Sequence, residues 1–160
     1  MRRKMGHGGY ICLLFLQLVF VTQAIVIKDQ EKIWQTWQIP YTVQAGMSKS
    51  FLNQITIALN RISRRTCLTF PARKSEPDYI HFLISSGCSS DLGRQGGRQT
   101  ITIGNTCSSP TNIVHEVLHA LGFMHEHQRP DRDEFIEIVL GNIQPGIVRL
   151  IQNLMVLHSL

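Results

Sequence analysis

Phe51, Leu52, Ile55, Ala58, Leu59 and Ile62 recur at the three-and-four spacing of a single helix face. Ser48 or Ser50, just ahead of them, can offer a side-chain oxygen to the free N–H groups of a helix start. The spacing predicts an amphipathic helix of about four turns, roughly residues 50–64, that packs the core. Residues 39–43 read Ile-Pro-Tyr-Thr-Val, a β-rich run whose proline sits where a missing N–H is tolerated. Strands are also expected at residues 67–70, at 79–85, where Ile80, Phe82 and Ile84 alternate with Tyr79, His81 and Leu83, and at 99–104. His81 reads as a lining or surface histidine. Between residues 85 and 99 the chain turns to Ser, Gly, Asp and Arg, and Gly87, Gly93, Gly96 and Gly97 permit positive φ. That loop lacks the spacing of a phosphate cradle. A second helix is expected at residues 111–121, with Ser108, Thr111 and Asn112 as candidate caps.

The first 24 residues follow a different pattern. Arg2, Arg3 and Lys4 precede an apolar run over residues 11–21 broken only by Gln17, and Thr22-Gln23-Ala24 gives a small-x-small cleavage pattern. These are the parts of a secretory signal peptide. The run covers only about half of a roughly 30 Å hydrocarbon core, so stable membrane insertion is not expected. The leader also colours the charge. The whole chain carries 16 basic and 11 acidic side chains, and losing three bases with residues 1–24 leaves a net +2. That balance makes no case for nucleic acid as a partner. With Cys12 set aside in the leader, Cys67, Cys88 and Cys107 remain, which predicts one disulfide and one unpaired thiol unless a second chain supplies a partner. A chain of 160 residues suits one domain with one core.

The candidate chemistry lies on the second helix. His115-Glu116-Val117-Leu118-His119 places two imidazoles one turn apart on the same face, where they can grip one cation. Glu116 stands one step around the helix, beside that cation. Gly122 is suited to end the helix in a left-handed conformation and turn the chain back. His125 can then complete a tetrahedral set at about 2.0–2.1 Å from zinc. Three neutral imidazoles leave a fourth position for water, whose pKa zinc lowers to about 7. Glu116 would take the water's proton and pass it to the leaving amine. Five fixed identities in His-Glu-x-x-His-x-x-Gly-x-x-His separate this pattern from an ordinary packed histidine.

From Gly122 through Asp133 the chain continues Gly-Phe-Met-His-Glu-His-Gln-Arg-Pro-Asp-Arg-Asp. With residues 39–41, 66–70, 87–90, 93–97 and 142–146, this string resembles the astacin family of metzincin zinc peptidases. The resemblance runs over residues 34–146. It implies His115, His119 and His125 as ligands of one zinc ion and Glu116 as general base. It further implies a Cys88–Cys107 disulfide, and Glu126 meeting the ammonium of a processed N-terminus. The strand at 99–104 would be the sheet edge on which an extended peptide lies. The family's Ser-x-Met-His-Tyr turn has no counterpart after Gly146, and its Phe-x-Gly-Asp pro-segment has none between Ala24 and Trp34. Cys67's family partner would fall in the region that is missing.

The sequence therefore predicts an α+β fold, with a small twisted mixed sheet and two helices, one of them the zinc helix. Residues 1–24 are read as the signal peptide, 25–146 as an incomplete catalytic domain, and 147–160 as a divergent tail with helical apolar spacing. The expected function is that of a secreted, extracellular zinc metalloendopeptidase acting on protein or peptide substrates. The alternative is a catalytically impaired zinc-binding fragment or interaction module.

Overall fold

The computed structural model describes residues 26–129 and 131–143, so the leader and the 147–160 tail lie outside the described residues. The chain divides into two compact units, Met1–Phe123 and Met124–Leu160. No described helix is long and apolar enough to cross a membrane.

In the first unit β1 is Tyr41–Val43, α1 Lys49–Ser63, β2 Tyr79–Ile84, β3 Ser89–Ser90, β4 Arg98–Ile103 and α2 Pro110–Ala120. Helix α1 starts where the sequence allows it. Ser48 is extended (φ −64°, ψ 152°) and its hydroxyl accepts from the Phe51 N–H. That bond satisfies one of the donors a helix start leaves free. Ile55, Ala58, Leu59 and Ile62 then turn their shared face into the core. β1 and β2 are parallel, as are β2 and β4, while β3 pairs antiparallel with β4, in the order β1-β2-β4-β3. A parallel pair cannot be joined by a hairpin, and α1 supplies the crossover between β1 and β2. The result is a mixed four-strand sheet in an α+β fold.

Alternation along the strands sets the core. Ile80 and Phe82 of β2 and Ile101 and Ile103 of β4 are fully buried, and Ile113, Val117 and Ala120 of α2 pack into the same cluster. Ile84 leaves the pattern and is exposed at the strand end. Gln99 takes an inward position in β4 and is 3% exposed. Its amide donates to the Gly93 carbonyl and its oxygen accepts from the Gln95 N–H, each at 3.1 Å. A buried amide so satisfied costs the core little.

Several expectations need correction. Residues 67–70 form no strand; Thr69 makes an isolated parallel bridge to Gln38 and Ala72 another to Tyr41. Pro71 between them has no N–H to continue a ladder. The strand at 98–103 is interior, and the edge strand beyond it is β3, inside the stretch read as loop. The cap of α2 is Ser109, whose hydroxyl accepts from the Asn112 N–H at 3.3 Å. Pro110 fits the first helical position, where no N–H is needed, so the cap falls on the residue before it. In the glycine loop, Gly93, Gly96 and Gly97 adopt positive φ and Gly87 does not. Finally, Cys88 and Cys107 are joined, Cys67 is also disulfide-bonded, and none of the described cysteines is a free thiol.

The second unit is built from short 3-10 turns, Glu126–Gln128, Arg132–Glu134 and Leu140–Asn142. Arg132 is its buried anchor, 5% exposed, with Nη1 donating to the His127 carbonyl at 3.0 Å and Nε to Asp133 at 3.2 Å.

His81, on β2, shares a 2.7 Å hydrogen bond with the Thr42 hydroxyl through Nδ1. Burial, and after it the charge of Arg98, holds its pKa below the ordinary 6.5. The unfolded ring therefore binds a proton at a pH where the folded ring does not, so stability falls as pH drops below about 6.5 and levels off under the folded pKa. His81→Gln should flatten that part of the profile. Urea midpoints of both proteins between about pH 8 and 5 test it, and parallel profiles would contradict it.

Candidate metal centre

Helix α2 fixes two of the candidate ligands. Ile113, Val117 and Ala120 hold one face of it in the core. His115 is left exposed and His119 half-buried on the face beside them. Their rings meet edge to face with centroids 4.5 Å apart, and the two Nε2 atoms are 3.0 Å apart. Two nitrogens bound to one tetrahedral zinc at about 2.0–2.1 Å stand roughly 3.3 Å from each other. The pair thus fits a shared ion with an adjustment of a few tenths of an ångström.

The ring of His119 is oriented from behind. Its Nδ1 lies 2.8 Å from the Phe123 carbonyl. A carbonyl only accepts, so Nδ1 carries the proton and Nε2 keeps the lone pair that a metal needs. Glu116, between the two histidines, is 9% exposed.

The helix end is closed by groups from three places in the chain. The His119 carbonyl accepts from the N–H groups of Gly93 and Gly122, both at 2.8 Å, and the Ala120 carbonyl accepts from the Trp34 indole at 2.9 Å. Phe123 N–H reaches back to the Leu118 carbonyl at 2.9 Å. Gly122 has φ +100°, and a Cβ there would lie 2.9 Å from the Ile27 side chain. Ile27 also donates to the Gly122 carbonyl, and Val26 bridges Phe123. Sequence reasoning found Gly122 but missed Trp34 and Gly93. Each stands far from the helix in the chain, with no spacing that ties it there.

In the second unit His125 is half-buried and precedes the turn Glu126–Gln128. Its N–H donates to the Gln128 side chain at 3.3 Å and its ring stacks on His127 at 5.2 Å. Glu126 accepts from Arg129 at 3.2 Å, and Arg129 also binds Asp131 at 2.6 Å. That guanidinium holds the Asp131 carboxyl below its usual range. In the first unit His115 and His119 bring two potential ligand nitrogens together, and in the second His125 offers a further imidazole. The disulfide Cys88–Cys107 ties the start of β3 to the turn before α2.

Known proteins similar to this chain share its sequence pattern and its fold. The sequence profile of the Astacin peptidase family matches residues 26–156. Zinc metalloproteinase nas-14 of Caenorhabditis elegans is 41% identical over 123 residues, which are 74% of this chain and 24% of that protein. Bone morphogenetic protein 1 of Xenopus laevis is 42% identical over 118 residues, 72% of this chain and 17% of that protein. Among solved structures, the hatching enzyme zinc-protease HCE-1 of the medaka Oryzias latipes superposes with a TM-score of 0.72 at 33% identity, covering 79% of this chain and 66% of that one. Fold and helix motif place the domain among the zinc metalloproteinases. Within them, the chain belongs to the astacin family, and it spans about a quarter or less of the two curated relatives named. Membership in a family of zinc proteinases implies zinc as the metal.

Gly122→Ala should lower stability by about 1–3 kcal/mol, the cost of a strained left-handed residue, and loosen metal binding with it. Gly46→Ala, also at positive φ but in open space, serves as the comparison and should lose less. Urea unfolding of both variants decides it; equal losses would mean that the contact with Ile27 contributes nothing.

Proposed function

We propose that this chain is the catalytic domain of a secreted zinc metalloendopeptidase, with residues 25–146 as its catalytic part, cleaving extracellular proteins or peptides. His115, His119 and His125 would hold one zinc ion. The observation that carries the reading is the pair of Nε2 atoms 3.0 Å apart, with the His119 tautomer fixed by the Phe123 carbonyl. His125 follows Phe123 by two residues, a backbone reach of at most about 7 Å, and its donor chemistry matches the pair. Secretion rests on the charged and apolar pattern of residues 1–24.

Zinc, when bound, supplies Lewis acidity, making water a better nucleophile at neutral pH and drawing electrons from a scissile carbonyl. The chain's own residues do the rest. Glu116 follows His115 directly and is largely shielded from solvent, so its carboxylate can take a proton from the attacking water and return it to the leaving amine. The peptide would lie along β3, the edge strand beside β4, adding to the ladder as a further strand. Glu126 would receive the ammonium of the processed N-terminus, a role resting on family resemblance.

Cleavage of an unfolded protein substrate, with and without a zinc chelator, tests the proposal. Glu116→Ala should keep its zinc and lose turnover by about 10²–10⁴-fold, the usual worth of a general base. His119→Ala should lose the zinc itself. Zinc affinity should weaken as pH falls through the histidine range, because a protonated imidazole cannot ligate. Zinc bound by the native chain without turnover would replace this reading with that of a non-catalytic zinc-binding module. An affinity flat from about pH 8 to 5 would remove the histidine ligands from it.

A further inference from the structure

Between Glu31 and Glu76 the chain carries seven Lys or Arg side chains and no Asp or Glu. Three of the seven, Arg61, Arg64 and Arg65, gather at the C-terminal end of α1, and all are exposed. Helical geometry continues through them: Arg64 is the cap residue at φ −71°, ψ −16°, and the Arg65 N–H bonds the Ile62 carbonyl. Positions i, i+3 and i+4 therefore share a face. The ion pairs of the described residues involve Arg94, Arg129 and Arg132, and none of these three.

A cavity of about 250 Å³ opens beside the cluster, lined by Arg61, Ile62, Arg65, Thr66, Thr111 and Val114. Arg61 Nη1 donates to the Thr111 hydroxyl at 3.3 Å, which holds the guanidinium at the cavity while most of its five donors are left for a ligand. One cation near a helix C-terminus stabilises it by balancing the dipole. Three do not follow from that need, because like charges at i and i+4 are destabilising unless an anion lies between them.

We propose that this surface docks a sulfated polysaccharide, with Arg61, Arg64 and Arg65 gripping its sulfate groups. The planar guanidinium fork matches tetrahedral oxyanions in two-point contacts. The cavity lining includes no aromatic ring on which a base could stack, which disfavours single-stranded nucleic acid. Its apolar members are Ile62, 6% exposed, and Val114, half-buried, both short aliphatic side chains, so the lining presents little for insertion into a lipid surface. The site is separate from the proposed peptidase chemistry and does not depend on it.

The test is binding of the full chain to a heparin fragment, with its desulfated counterpart, an RNA oligonucleotide and phosphatidylserine vesicles alongside, and with folding checked by thermal melting. Arg64→Ser/Arg65→Ser keeps the Arg61–Thr111 bond and should weaken heparin binding about tenfold, the worth of one charged hydrogen bond or more. Lys49→Ser/Lys74→Ser removes the same charge elsewhere and should have a clearly smaller effect. Arg64→Lys/Arg65→Lys preserves charge and helix, and should still lose about threefold for want of the fork. Absent binding, equal losses in the two serine pairs, full affinity in the lysine pair, or equal affinity for the desulfated chain would each overturn the proposal. So would tighter binding of RNA or vesicles through the same arginines.

Discussion

The candidate site depends on how the last turn of α2 is closed. A helix leaves its final carbonyls without partners, and burying such an end is costly unless other groups supply donors. Here Gly93 and Gly122 both donate to the His119 carbonyl, Trp34 donates to that of Ala120, and Phe123 to that of Leu118. One of these donors comes from the N-terminal segment, one from the glycine loop and two from the turn itself. Together they stop the helix at a fixed residue and return the chain so that the Phe123 carbonyl meets His119 Nδ1. The positive φ of Gly122 is the backbone condition for that return, and the close approach of Ile27 leaves no room for a side chain. The tautomer of a candidate metal ligand is thus set by the way a helix ends.

Much of this was legible in the sequence, for identifiable reasons. The helical spacing of α1, the alternation in β2 and the His-Glu-x-x-His run are periodic signals, and periodicity survives without knowledge of neighbours. What was missed depends on pairing. Ser89–Ser90 has no strand-like composition and becomes β3 only because β4 lies beside it. Residues 67–70 look like a strand, but Pro71 interrupts the ladder and leaves isolated bridges at Thr69 and Ala72. Gln99 reads as a polar position and is buried because Gly93 and Gln95 complete its hydrogen bonds. Tertiary context decided each of these, and a single chain read linearly carries little of it. Ser109 is the exception, a local signal, since the proline that follows it marks it as the cap.

The position of the histidines on α2 also has a physical logic. His119 lies in the last turn, where the helix dipole is negative and favours a cation of any kind. The dipole cannot by itself separate a metal ion from a proton. The Phe123 carbonyl adds the missing selectivity, because it occupies the Nδ1 proton and turns the Nε2 lone pair towards His115. Two Nε2 atoms 3.0 Å apart have room for one shared proton or one shared ion, but not for an N–H on each. A divalent ion that accepts both lone pairs answers the dipole and the crowding together, whereas a single proton satisfies one ring at the other's expense. Sequence spacing brings the two rings to one face; the Phe123 carbonyl, held in place by the turn at Gly122, is what makes that face a candidate ligand set.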